Sequence, residues 1–132
     1  MAKIVWTEEY SVGVAALDAQ HRQWIGMINE LHETLLGGRA RELDEVTTRM
    51  LVGMAAYARG HFEAEEEHMA AIGFAGREGH ILLHREFSAR VDRLCREAAA
   101  GELILNTELM KTLMRWLQDH ILQEDRKYAD RY

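Results

Sequence analysis

The sequence predicts an all-α chain folded as an up-down-up-down antiparallel four-helix bundle behind an N-terminal arm, and three observations carry that prediction. The 132 residues contain no proline, while Ala, Leu, Met, Glu and Arg are abundant, a composition that favours helix and leaves no material for a turn-dense β fold. Glycines at Gly37-Gly38, at Gly73, Gly76 and Gly79, and at Gly101 fall between periodic stretches and cut the chain into four segments. Each segment carries apolar residues three and four apart, the pattern of a helix with one buried face. Short connections make sequence neighbours antiparallel.

The arm runs over residues 1–17. Helix one is predicted over 18–36, with Asp18 as its N-cap or a first-turn residue and His21, Trp24, Ile25, Ile28, Leu31 and Leu35 on its apolar face. Helix two, 41–71, carries Leu43, Val46, Met50, Met54, Tyr57 and Ala58 down to His61, Glu65 and Met69, with the methionines as core filler. Helix three, 77–100, has the cleanest stripe: His80, His84, Phe87, Val91, Leu94 and Ala98. Helix four, 104–129, repeats it with Leu105, Leu109, Leu113, Trp116, Leu117 and His120.

With 48% apolar residues the chain can bury one sizeable core, and 1–132 reads as a single domain. A net charge of -6, with no dense basic run, argues against a nucleic-acid surface. Cys95 is the only cysteine, which excludes an intrachain disulfide and a thiolate metal cluster; it reads as a small residue beside the core. Met1-Ala2-Lys3-Ile4-Val5-Trp6 lacks the apolar run of a signal peptide, and no later stretch approaches membrane-spanning length. A soluble protein of a reducing cytoplasm is the expectation.

Chain direction brings the chemistry together. His61 and Glu65 stand at i and i+4, sharing a helix face about 6 Å apart along the axis; alone, such a pair is commonplace on a solvated stripe. Antiparallel packing, however, sets the start of one helix beside the end of the next. His21 lies near the start of helix one, His61 and Glu65 near the end of helix two, His80 and His84 near the start of helix three, and His120 and Asp125 near the end of helix four. Five imidazoles and two carboxylates therefore converge at one end of the interior. Burying so many ionisable groups without a compensating cation is costly, so a metal centre is expected. Imidazole and carboxylate without thiolate suit iron, manganese, zinc or copper, and seven side chains exceed one tetrahedral zinc; two octahedral ions fit better.

Trp6, Val12-Gly13, Leu17-Asp18-Ala19-Gln20-His21, His61-Phe62-Glu63-Ala64-Glu65-Glu66, the pair His80 and His84, and His120 with Asp125 resemble, in that order, the motifs of the hemerythrins. The chain is most similar to the single-domain bacterial hemerythrins (bacteriohemerythrins), and the resemblance spans nearly its whole length. It implies two iron ions bridged by Glu65, Asp125 and an oxide or hydroxide, one held by His80, His84 and His120 and the other by His21 and His61. Dioxygen would bind reversibly, as peroxide, at the iron held by two histidines. Trp24, Ile25, Leu117 and Ile121, each a turn or less from a ligand, are the candidate wall of a dry dioxygen pocket.

Asp125 follows His120 by five residues, about 140° round an ideal helix. A widened, π-type turn within 120–125 is the expected remedy. His68 makes a Glu-x-x-His pattern with Glu65, but no second such pattern exists for a ferritin-like site; it reads as a boundary or surface residue, and His32, at the far end, as structural or exposed. Glu63, Glu66 and Glu67 read as a solvated face, with Glu66 able to support the site from behind.

No general base or nucleophile stands apart from these residues, which points to a dioxygen-binding protein, a carrier, store or scavenger, rather than an enzyme. Oxidase, peroxidase or nitric-oxide chemistry at the same irons is the alternative, as is iron storage or oxygen, redox or iron sensing. A sensor is usually joined to an output domain, and the chain ends shortly after Tyr128. Dioxygen is the expected partner; neither nucleic acid nor membrane insertion is expected, and the sequence names no protein that receives the dioxygen.

Overall fold

The structure, a computed structural model, describes residues 3–37, 40–101 and 107–129, and of 40–44 and 107 the backbone alone. Four long helices follow one another: α1 (Ala15–Gly37), α2 (Ala40–Ala71), α3 (Arg77–Ala99) and α4 (Thr107–Asp119). α4 continues through a π-helical segment, His120–Asp125, into a closing helical turn, α5 (Arg126–Ala129). Among the described residues there is no strand, and no helix is long and apolar enough to cross a membrane. The sequence expectation of an antiparallel four-helix bundle is met. Gly38, the start of helix four at residues 104–106 and the side chains of Leu43 and Leu105 lie outside the described residues.

α1 begins three residues before the expected start. Asp18 sits in its first turn rather than at its cap, and its carboxylate reaches back to accept from Ser11 Oγ at 2.6 Å and from the Val12 amide at 2.8 Å. The arm ahead of it contains a 3-10 turn, Glu8–Tyr10, and is fastened elsewhere by Asn29, which exchanges hydrogen bonds with the Ile4 backbone at 2.9 and 2.7 Å. α2 ends in a Schellman motif: Gly73 takes a left-handed φ of 66°, its amide donates to the Ala70 carbonyl and the Phe74 amide to the Met69 carbonyl. Glycine reaches that conformation without the Cβ clash of other residues. Phe74 then packs against the apolar cluster that contains Met69, with its ring 6.3 Å from that of Tyr128.

The main core runs along the bundle axis and includes Trp24, Ile28, Leu31, Leu51, Met54, Phe62, Phe87, Met110, Leu113 and Leu117. One register differs from expectation. Val46 is exposed, and Thr47 and Leu51 take the buried face of α2 in its place. A second, smaller cluster of Val12, Leu17, Met69 and Tyr128 closes the bundle end at which α2 stops and α3 starts. Arm, α1, α2 and α5 each supply one of these residues, so that end is plugged.

Candidate metal centre

Behind that plug lie the seven side chains that chain direction brings together. His21, His61, Glu65, His80, His84, His120 and Asp125 are all at least 96% buried. His21 Nε2 is 3.1 Å from Asp125 Oδ2 and 3.3 Å from Glu65 Oε2, and His61 Nε2 is 3.5 Å from the same Glu65 oxygen. On the other side, His80 Nε2 and His120 Nε2 lie 2.8 and 3.0 Å from Asp125 Oδ1, and His84 Nε2 lies 3.0 Å from Glu65 Oε1. Each carboxylate thus turns one oxygen toward the pair His21 and His61 and the other toward the trio His80, His84 and His120. The donor atoms of each histidine set, with both carboxylates, fall within 4.8 Å of one another.

The backbone makes this possible at Asp125 by widening the helix. Residues 120–125 are π-helical, so the fifth residue after His120 stacks above it as the fourth would in an α-helix. Asp125 is fully buried. The distortion expected from the spacing is present where the spacing demands it.

The residues fit metal ions by a test independent of ligand type. His21 Nε2, His61 Nε2, His80 Nε2, Glu65 Oε1 and both Asp125 oxygens are buried without a hydrogen-bond partner, although each is within 4 Å of an opposite group. They are near one another but not aimed as donor and acceptor. A buried polar atom left unpaired costs roughly 1–3 kcal/mol, and lone pairs of nitrogen and oxygen that face a common volume are satisfied together by cations. Imidazole and carboxylate are donors suited to iron, manganese or zinc.

Without a metal, the rings and the carboxylates shift one another's titration in opposite directions. Burial pulls the His21 pKa down, but Asp125 and Glu65 beside it overcome burial and raise it to about 9; His120 is raised to about 10 against the same burial by Asp125 and Glu65. His80 is shifted upward in the same way. Burial favours the neutral acid at Glu65, yet His120, His21 and His61 hold its carboxyl well below the ordinary range. Asp125 is likewise lowered: burial and the Glu65 charge oppose ionisation, and His120 and His21 outweigh them.

Several supporting contacts were not legible beforehand. Gln20 Oε1 accepts from His61 Nδ1 at 2.6 Å, and the Tyr128 hydroxyl donates to Glu65 Oε2 at 2.8 Å. Phe62 stacks on His84 at 3.9 Å between centroids, and Trp116 on His120 at 4.5 Å. Tyr128 stands three residues after Asp125 and so shares its face, the one signal that could have found it. Glu66 does what the sequence allowed: its Oε2 accepts from His84 Nδ1 at 2.8 Å. His68 joins neither histidine set; its half-buried ring lies 5.6 Å from that of Tyr128. His32 is buried. Trp24, Ile25, Leu117 and Ile121 are buried in the main core, with the Trp24 ring 5.8 Å from that of His61.

Residues 12–132, a span that contains all seven buried donors, match the family model of the hemerythrin HHE cation binding domain. The chain belongs to the hemerythrin family. Among its relatives, the bacteriohemerythrin of Stenotrophomonas maltophilia (strain R551-3) is 35% identical over 130 residues, 98% of this chain and 82% of that one. The bacteriohemerythrin of Pseudomonas aeruginosa (strain LESB58) is 32% identical over the same shares. A crystal structure of wild-type hemerythrin superposes with a TM-score of 0.87 at 28% identity, covering 98% of this chain and 97% of the other. The resemblance read from the sequence motifs is borne out, and the buried histidine and carboxylate cluster is compatible with a cation-binding domain.

Proposed function

We propose that the chain is a non-heme di-iron protein that binds dioxygen reversibly, as a carrier, store or scavenger rather than an enzyme. The observation that carries this is the division of Glu65 and Asp125, one oxygen of each toward two histidines and the other toward three. Such a division supports two cations of unequal donor number, joined by two carboxylates. His80, His84 and His120 would hold one iron, His21 and His61 the other, with Glu65, Asp125 and an oxide or hydroxide between them. Two ferrous ions held there supply the two electrons that reversible dioxygen binding needs.

The chain's own residues do the rest. Gln20 and Glu66, as acceptors, leave the Nε2 lone pairs of His61 and His84 facing inward. With one histidine fewer, the His21 and His61 side leaves more room for a small exogenous ligand, and Trp24, Ile25, Leu117 and Ile121 would keep that side apolar and exclude water. Every polar neighbour described above is committed to positioning a donor, which supports binding rather than turnover. The place of action we infer is the cytoplasm, with dioxygen as the partner.

Metal analysis with ultraviolet-visible spectra of deoxygenated, oxygenated and oxidised samples tests this reading. Two irons per chain and a colour that appears in air and disappears on removing it are expected. Reduced protein that shows no reversible colour but consumes peroxide catalytically would overturn the carrier reading.

A further inference from the structure

The two hydrogen bonds behind the centre differ in charge. On the side of two histidines, the acceptor for His61 Nδ1 is the neutral amide of Gln20 at 2.6 Å. On the side of three, the acceptor for His84 Nδ1 is the Glu66 carboxylate at 2.8 Å. We propose that this neutral and anionic pair sets the two halves of the centre to different electron richness: Glu66 makes the three-histidine half favour the higher oxidation state, while Gln20 leaves the two-histidine half less electron-rich. The inference rests on the di-iron reading above.

Both residues act through an imidazole and are positioning residues. A carboxylate can only accept, so it fixes His84 with Nδ1 as donor and Nε2 as the inward lone pair. Its negative charge also draws the Nδ1 proton and pushes electron density onto the ring, strengthening Nε2 as a donor. A more highly charged ion gains more from a stronger donor than a less charged one does. The Gln20 amide oxygen accepts from the same ring nitrogen of His61 but carries no charge, so it orients without that push.

The surroundings hold Glu66 to this task. Arg77 Nε donates to the Glu66 backbone carbonyl at 2.9 Å, tying the start of α3 to α2 where the carboxylate departs. Phe62 covers the His84 ring face, so the imidazole is held from the face as well as from Nδ1. Glu66 itself is 24% exposed at its side chain and borders a surface groove of about 380 Å³ with Arg59, Glu63, Arg85 and Asp92. A substitution there meets solvent and side-chain ends rather than core, so the fold tolerates it.

The experiment is redox titration of the iron-loaded full chain against Glu66→Gln and Gln20→Glu, with Mössbauer spectra to assign each iron and circular dichroism to check the fold. Glu66→Gln is expected to weaken the hold on the oxidised ion about tenfold more than on the reduced one, at the low end of the 10–100-fold that such supporting partners carry. That reads as a rise of about 59 mV for one electron, with the altered Mössbauer signal confined to one iron. Gln20→Glu should shift the potential the other way and alter the other iron. Two irons per chain with both potentials unmoved would overturn the inference while leaving the di-iron reading intact. A wild-type chain that binds no iron overturns that reading first, and the inference with it.

Discussion

The buried hydroxyl of Tyr128 donates a 2.8 Å hydrogen bond to Glu65 Oε2, the oxygen of that carboxylate turned toward His21 and His61. Burial, with the charges of Glu65 and Asp125, pushes the Tyr128 pKa far above its ordinary value, so the group stays a donor at every accessible pH. Tyr128→Phe removes only the oxygen and leaves the ring in its cluster with Val12, Leu17 and Met69. A hydrogen bond to a charged group contributes about 1.5–3 kcal/mol, and the variant is expected to lose that much in the metal-free form. Denaturant unfolding measures it; an unchanged midpoint would show that the bond contributes nothing to the fold.

Stability of the metal-free protein should depend on pH in the opposite sense to metal loading. His21 and His120 have folded pKa values raised from 6.5 to about 9 and about 10. Their contribution is complete below pH 6.5 and disappears as pH rises through 9 to 10. Glu65 and Asp125 are lowered, so theirs is complete above the ordinary carboxylate range of about 4 and disappears in acid. The metal-free chain is therefore expected to lose stability between pH 6.5 and 10. Metal must displace the ring protons, so loading at pH 7 releases protons and tightens as pH rises. Unfolding of the metal-free form at pH 6 and 9.5, and calorimetry of metal binding in buffers of different ionisation heat, check both signs; greater metal-free stability at pH 9.5 sinks the account.

The π segment invites a length test. Gln123 is exposed within it. Deleting Gln123 leaves the aspartate four residues after His120, the spacing at which an ordinary α-helix already puts both on one face, and keeps the tyrosine three residues beyond. The deletion is expected to preserve the fold and the metal-to-protein ratio of the unaltered chain. Inserting one alanine after Gln123 instead carries the aspartate about 100° further round, and metal retention should fall. Metal-to-protein ratios after gel filtration, with circular dichroism, decide. Loss of metal in the deletion variant would mean that the widened turn matters for more than spacing.

The bundle was legible because its signals are local, whereas the site's supports are not. Gly73 and Gly101 mark helix ends through a left-handed φ that the sequence can announce. Val46 was misplaced because stepping by fours through Val46, Met50 and Met54 drifts about 40° per step on a 3.6-residue helix, and over the length of α2 that drift moves the burial onto Thr47 and Leu51. The convergence of the seven donors followed from direction alone. The contacts of Gln20 and Tyr128 did not: spacing puts Tyr128 on the Asp125 face, but that the two meet His61 and Glu65 across 41 and 63 residues is a side-chain contact that no periodicity encodes. Asp18 shows the intermediate case: a polar residue at a helix start announced a local bond, but its carboxylate secures the arm to α1 instead of capping the helix.

Leu117 tests whether the apolar residues around the centre protect it or merely fill the core. It is fully buried in α4, three residues before His120, and belongs to the cluster that holds Trp24, Ile25 and Ile121. Leu117→Ala is expected to lower stability by about 2–5 kcal/mol, as leucine truncations in cores do. Met114→Ala, also fully buried in α4 but six residues from His120, should cost a similar amount. If Leu117 keeps water from the di-iron centre, only Leu117→Ala should speed the loss of the oxygenated colour in air, because an apolar void beside the centre lowers the barrier to water entry. Stopped samples followed by absorbance, with both variants matched for unfolding free energy, separate the roles. Equal colour lifetimes in the two variants would reduce Leu117 to packing.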